Sequence, residues 1–196
     1  SMKPKKQQIE FSTSVNYLVP DKLQLCYDTN LRNVFIRLLN DGHKEIWPLH
    51  SEHAQTLIFD VLSELYGRTV SPLHLNQVIR LLEIMGRKGE RIKTSLRVGE
   101  RIDGSLEYDL NDGGWQCVRV DGSGWMVDKS EVNFRRYDHQ QPQIEPLRGG
   151  NIEALFEFAN VTGHSERTLF LAWVLSCFCS GIDYPILLLT GPRGSG

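Results

Sequence analysis

The residues with the plainest chemical grammar close the chain: Gly191-Pro192-Arg193-Gly194-Ser195-Gly196, directly after Tyr184-Pro185-Ile186-Leu187-Leu188-Leu189-Thr190. Gly-x-x-x-x-Gly behind an apolar run matches the first six positions of the phosphate-binding pattern G-x-x-x-x-G-K-[ST]. Such a loop needs glycine because it must turn through positive φ to aim several backbone N–H groups at one anion. The helix that follows adds its N-terminal dipole. In the full pattern a lysine then neutralises the β- and γ-phosphates and a hydroxyl holds Mg2+. The 196 residues stop one position short of that lysine. The expectation is therefore ATP and Mg2+ chemistry in a longer parent, with Gly191, Pro192, Arg193, Gly194, Ser195 and Gly196 around the phosphates, and no hydrolysis by these residues alone. A glycine-rich tail without a ligand is the competing reading.

A second group is basic. Arg87, Lys88, Arg91, Lys93, Arg97 and Arg101 lie within fifteen residues that hold two acids, Glu90 and Glu100, a local net charge of +4. Arg87, Lys88, Arg91, Lys93 and Arg97 are the candidate contacts to nucleic-acid phosphates. The competing reading is a solvated helix end whose cations complement the helix dipole. Two helices followed by a β-hairpin would also suit a winged helix, with Asn76, Gln77 and Arg80 as its base readers.

Other combinations are set aside. Cys177 and Cys179 stand two apart, which on a helix turns the thiols in nearly opposite directions, so they share no ion with His164. Cys26 and Cys117 have no neighbouring thiol. His50 and His53, with His43 upstream, lack an obvious third ligand, and no metal site is assigned. No G-x-S-x-G motif occurs, and no serine, cysteine or histidine has a recognisable nucleophile setting.

These groups are carried by a chain of ordinary globular composition: 40% hydrophobic, 23% charged and a net charge of −2 over 196 residues. That excludes a wholly disordered chain and a uniformly basic nucleic-acid-coating protein. Four cysteines do not make a disulfide scaffold. No stretch reaches the ~18 apolar residues of a membrane span, and the N-terminus reads as a cloning remnant rather than a signal peptide, so a cytoplasmic setting is expected.

Positioning elements follow from periodicity and punctuation. Residues 1–20 read as a flexible basic N-terminus and 21–140 as an α+β accessory domain. Within it, residues 34–39 and 44–49 form a hairpin about Asn40-Asp41-Gly42. Ser51 caps a helix with Ala54, Leu57, Ile58, Val61, Leu62 and Leu65 on its apolar face, stopped by Gly67. Ser71-Pro72 opens a second helix, with Leu75, Val78, Ile79, Leu82 and Met85 on its stripe and Gly86 at its end; the two are expected to pack together. Residues 92–98, 105–110, 115–120 and 124–127 read as an antiparallel meander separated by Asp-Gly and Gly-Gly turns, its core face sealed by Trp115 and Trp125. Residues 141–150, with Pro142, Pro146, Gly149 and Gly150, form a linker. Residues 151–196 then comprise a short helix capped by Asn151, an apolar helix capped by Ser165 and running to Cys179, and a doubly buried parallel strand at 184–190. The fold class is thus α+β: a helical pair plus a meander, then a helical linker and the first strand of a truncated P-loop α/β domain.

Residues 90–196 also resemble ATPases of bacterial and phage mobile elements, related to replicative primase-helicases and initiator helicases. The resemblance rests on Leu106-Glu107-Tyr108-Asp109-Leu110, Gly124-Trp125, Phe134-Arg135-Arg136, Pro146, Gly149-Gly150, Asn160, Leu171-Ala172-Trp173 and the run from Tyr184 into the glycine loop. It implies an ATP-driven motor of the AAA+ or related helicase type with a role in DNA replication. It further implies DNA as a partner and self-association through the motor. The lysine, the Walker B carboxylates, the sensor and the arginine finger of such motors are not in this chain. A non-catalytic DNA- or protein-binding module, and an NTP-dependent defence or signalling ATPase, are the alternatives.

Overall fold

Capping residues set the helix boundaries. In the computed structural model, which describes residues 23–40, 42–179, 182, 183 and 185–191, α1 (Glu52–Tyr66) starts at Ser51, whose Oγ accepts the Ala54 N–H at 3.2 Å. It ends at Gly67 in the left-handed region, φ 60°, a conformation that costs a residue without Cβ nothing. Helix α2 (Pro72–Gly86) starts at Ser71, whose Oγ accepts the His74 N–H.

Both helices lie on one face of a four-stranded sheet of order β3-β2-β1-β4. Strands β1 (Gln24–Asp28), β2 (Asn33–Asn40) and β3 (His43–Pro48) are antiparallel neighbours, and β4 (Glu90–Ile92) joins β1 in parallel after the helices. Alternation sends Leu25, Val34, Ile36 and Leu38 to the helix side, where Ala54, Ile58, Leu62, Val78, Ile79 and Leu82 complete the core. Cys26, Phe35 and Ile46, all fully buried, stand on the opposite face.

The second sheet is an antiparallel meander, β5 (Val98–Glu100), β6 (Leu106–Asp109), β7 (Gln116–Asp121) and β8 (Gly124–Lys129), in that order. Residues 133–136 join the two sheets: Arg135 N–H donates to Ser95 O, and Arg136 N–H to Ile46 O. A 3-10 turn (Ile152–Ala154), capped by Asn151, runs into α3 (Leu155–Ala159), followed by α4 (His164–Ser176). The fold is α+β, as the sequence implies. No helix among the described residues is long and apolar enough to cross a membrane.

Several expectations change. Strand β1 is unanticipated. Residues 92–98 are not a meander strand: the stretch divides between β4 in the first sheet and β5 in the second. No winged helix forms, because α2 leads into a strand paired with β1 rather than into a hairpin. The two helices pack together as expected and also bury their stripes on the sheet, but Met85 of the second stripe turns outward. Helix α4 is capped by Gly163, not Ser165, and ends at Ser176. Residues 185–190 form no strand and pair with no other among the described residues; a parallel strand exists only through its neighbours. The expected flexible N-terminus and the glycine loop from Pro192 onward lie outside the described residues.

Gly86 does not act as a left-handed helix stop; the cap, Arg87, is right-handed at φ −60°. Its role is contact: a Cβ there would run into the methyl groups of Val34, a stiff β-branched neighbour. Helix propensity alone predicts that Gly86→Ala stabilises the protein by up to ~1 kcal/mol. The packing predicts the opposite, a loss of about 1–3 kcal/mol in chemical denaturation, relieved in a Val34→Ala background. A raised denaturation midpoint for Gly86→Ala would refute the contact.

Candidate functional site

The basic residues are distributed by the turn that takes α2 into β4. Arg87 caps α2, and its guanidinium pairs with Glu83 one turn back at 2.8 Å. Glu83 also meets His50 at 3.6 Å, and the Arg87 hydrogen bond holds its carboxyl below the ordinary range, against a smaller opposing effect of burial. Lys88 is exposed in the turn. Arg91 stands opposite Tyr27 in the β1–β4 register, its guanidinium 4.6 Å from the ring centre. Lys93 is exposed just beyond β4.

Arg97 does not share this surface. It donates to Asp109 O and, at 3.0 Å, to Gln141 O, which occupies it in holding the linker. Arg101 turns inward too, between Glu107, Asp103 and Glu131. The fold thus separates a run of six cations: Arg87, Lys88, Arg91 and Lys93 are exposed, while Arg97 and Arg101 are occupied by acceptors of the second sheet and the linker.

It also adds groups that the count of basic residues leaves out. Asn76, Arg80 and Glu83 on α2, its cap Arg87, Gln55 on α1 and His50 just before α1 line a groove of about 440 Å3. Glu90, the acid within the basic run, is drawn to the other face of the sheet. Its carboxylate takes Arg37 at 2.7 Å and Gln24 at 3.0 Å.

The linker at 141–150 is pinned over the meander. Gln143 N–H donates to Leu110 O at 2.7 Å and the Tyr108 hydroxyl to Gln143 Oε1. Arg148 stacks over Trp125 at 4.6 Å and donates to its carbonyl. Trp125 therefore receives the linker, while Trp115 packs edge-on against Trp47 of the first sheet. Beneath the strap, Leu106, Tyr108, Val118, Ile144, Leu175 and Phe178 line an apolar cavity of about 700 Å3. From α4, Trp173 donates its indole N–H to Pro185 O. Beyond this anchor Ile186 is 94% and Leu188 80% exposed, up to Gly191; Pro192, Arg193, Gly194, Ser195 and Gly196 lie outside the described residues.

Three buried carboxylates escape a sequence reading: Asp28, Glu107 and Asp109. Each is saturated. Asp28 accepts from Thr94, Asn30 and Leu31; Glu107 from Ser130 and the Glu131 and Val132 N–H groups; Asp109 from Arg136. They are structural acceptors. The one signal was that Asp28 and Asp109 each end a strand beside turn-forming residues. Burial pushes the Cys26 thiol up to about 11 and that of Cys117 up to about 12, which leaves both protonated and unreactive at neutral pH. Among the described residues no group of three His, Cys, Asp or Glu side chains is placed to hold a metal ion. Comparison of the chain with family models, with curated proteins and with solved structures gives no match.

Proposed function

We propose that residues 21–140 form the accessory domain of a P-loop ATPase with a DNA-helicase or replication role in a mobile element, and that residues 151–196 lead into its motor. The observation that carries this reading is the junction of an apolar run with a glycine loop. Ile186, Leu188 and Leu189 are more than half exposed, although a stretch of this composition is stable only when covered. Strands on either side would supply that cover, and the run delivers the chain to Gly191 where a phosphate loop begins.

The donors in Gly191-Pro192-Arg193-Gly194-Ser195-Gly196 suit phosphate oxygens: backbone N–H groups, one hydroxyl and one guanidinium. ATP with Mg2+ would supply the phosphoryl group whose transfer drives such a motor. This chain's own part would be to cradle the phosphates with backbone N–H groups. The pinned linker supports mechanical coupling, because a strap held at Leu110, Tyr108 and Trp125 transmits displacement where a loose tether would absorb it.

The test is the coding sequence after Gly196 together with nucleotide binding. Lysine and then serine or threonine are expected at the next two positions, and the protein carrying the motor is expected to bind and hydrolyse MgATP. Continuation with neither residue, or no nucleotide affinity in that protein, would overturn the proposal.

A further inference from the structure

We infer that the outer stripe of α2, continued by the α2–β4 turn and the helix side of β4, is a surface for the major groove of duplex DNA. The inference deepens the proposed role by assigning the accessory domain its partner, and it rests on that reading only for the choice of DNA as the biological ligand. Three observations carry it.

The first is the chemistry of the stripe. The inner face of α2 is consumed by the core, where Val78, Ile79 and Leu82 are buried. Asn76, Gln77 and Arg80 are exposed on the other side, and no carboxylate among the described residues pairs with Arg80. Amide side chains pair two-fold with adenine and guanidinium with guanine in the major groove. From Asn76 to Arg87 the helix advances about 16 Å, or roughly five base-pair steps.

The second is register. In β4, alternate residues face opposite sides of the sheet. The pairing of Tyr27 with Arg91 sets Arg91 on the side of the helices, while Glu90 points to the far side and binds Arg37. The surface beyond α2 therefore keeps the cations Arg87, Lys88 and Arg91 and loses Glu90, the acid that sits among them in the sequence; among the described residues the one carboxylate left in the stripe, Glu83, pairs with Arg87.

The third observation separates duplex from single strand. Unpaired bases require an exposed aromatic face. Of the rings beside this surface, Tyr27 lies under the Arg91 guanidinium and the His50 imidazole meets Glu83. The surface offers hydrogen-bonding edges and charge, which suit a groove rather than stacked bases.

The test measures binding of a fluorescein-labelled 20-base-pair duplex, and of its single strands, by the 196-residue chain at 50 and 200 mM salt. With three phosphate contacts, duplex affinity is expected to fall on the order of 40-fold across that range. The Arg87→Ala/Lys88→Ala/Arg91→Ala variant should lose most of that salt dependence and at least tenfold in affinity at 50 mM. Asn76→Ala/Arg80→Ala should keep the salt dependence but lose the sequence preference selected from a randomised duplex pool. All five positions lie outside the core, and circular dichroism verifies the fold of each variant.

Duplex binding that both variants leave unchanged overturns this surface but spares a DNA-contacting accessory domain. Tighter binding of single strands, or of poly-glutamate as an acidic-peptide probe, overturns the duplex assignment. Absence of any DNA affinity overturns the inference as a whole, whereas the ATPase reading stands or falls separately on MgATP binding.

Discussion

Replacing Arg136 by alanine is expected to cost about 3–5 kcal/mol of folding stability, read as a shift in the chemical denaturation midpoint. Arg136 and Asp109 are both almost wholly buried and meet two-fold, with Nη2 to Oδ1 at 2.6 Å and Nε to Oδ2 at 3.2 Å. The guanidinium also lies 3.8 Å over the Trp115 ring, and Trp115 packs edge-on against Trp47 at 5.6 Å. Since Trp47 belongs to β3 and Asp109 to β6, this cluster ties the two sheets together.

Alanine strands the Asp109 carboxylate away from water, and that unpaired charge, more than the lost attraction, dominates the cost. A double variant, Arg136→Met with Asp109→Leu, removes both charges and should therefore cost much less than the single one. Arg136→Lys should fall between, because a lysine keeps the charge but not the planar fork or the stacking. A loss below about 1 kcal/mol for Arg136→Ala would show that the pair does not hold the sheets.

Asp28→Ala should be nearly as damaging, at about 3 kcal/mol, because it removes a charged acceptor with four donors. Those donors are Thr94 N–H at 2.8 Å, Thr94 Oγ1 at 2.6 Å, Asn30 N–H at 2.9 Å and Leu31 N–H at 3.1 Å. Burial works to raise the Asp28 pKa, but the hydrogen bonds from Thr94, Leu31 and Asn30 outweigh it and hold the carboxyl below its ordinary value of 3.8.

The direction fixes the pH dependence. A carboxyl that titrates lower in the folded state contributes fully above the unfolded value and loses that contribution as pH falls through the folded one. Wild type should therefore lose stability as pH drops below about 4, and Asp28→Asn should lose less over the same interval. Parallel pH profiles for the two proteins would show that the Asp28 carboxylate is not linked to folding.

The amino-acid order by itself determined what local chemistry can encode. Ser51, Gly67 and Ser71-Pro72 mark helix ends because each satisfies or removes a backbone group within a few residues. The turns between β6, β7 and β8 are legible for the same reason, as Asp and Gly set the backbone there without help from afar. The spacing of Gly191 and Gly196 is readable in the same local way, while a phosphate loop there is a proposal.

Only the tertiary structure decided which sheet a strand joins and which way a side chain faces. Residues 90–100 alternate in the same manner whether they extend the meander or return to β1, and the parallel pairing of β4 with β1 spans more than sixty residues. That one choice sorts Arg91 from Glu90 and turns a mixed run of charges into a basic face. Arg97, Arg101 and Arg136 look like their exposed counterparts in the sequence. Their inward turn depends on acceptors such as Asp109, Glu107 and Gln141, which folding brings beside them. Burial of a charge is a property of its surroundings, and those surroundings are assembled from distant parts of the chain.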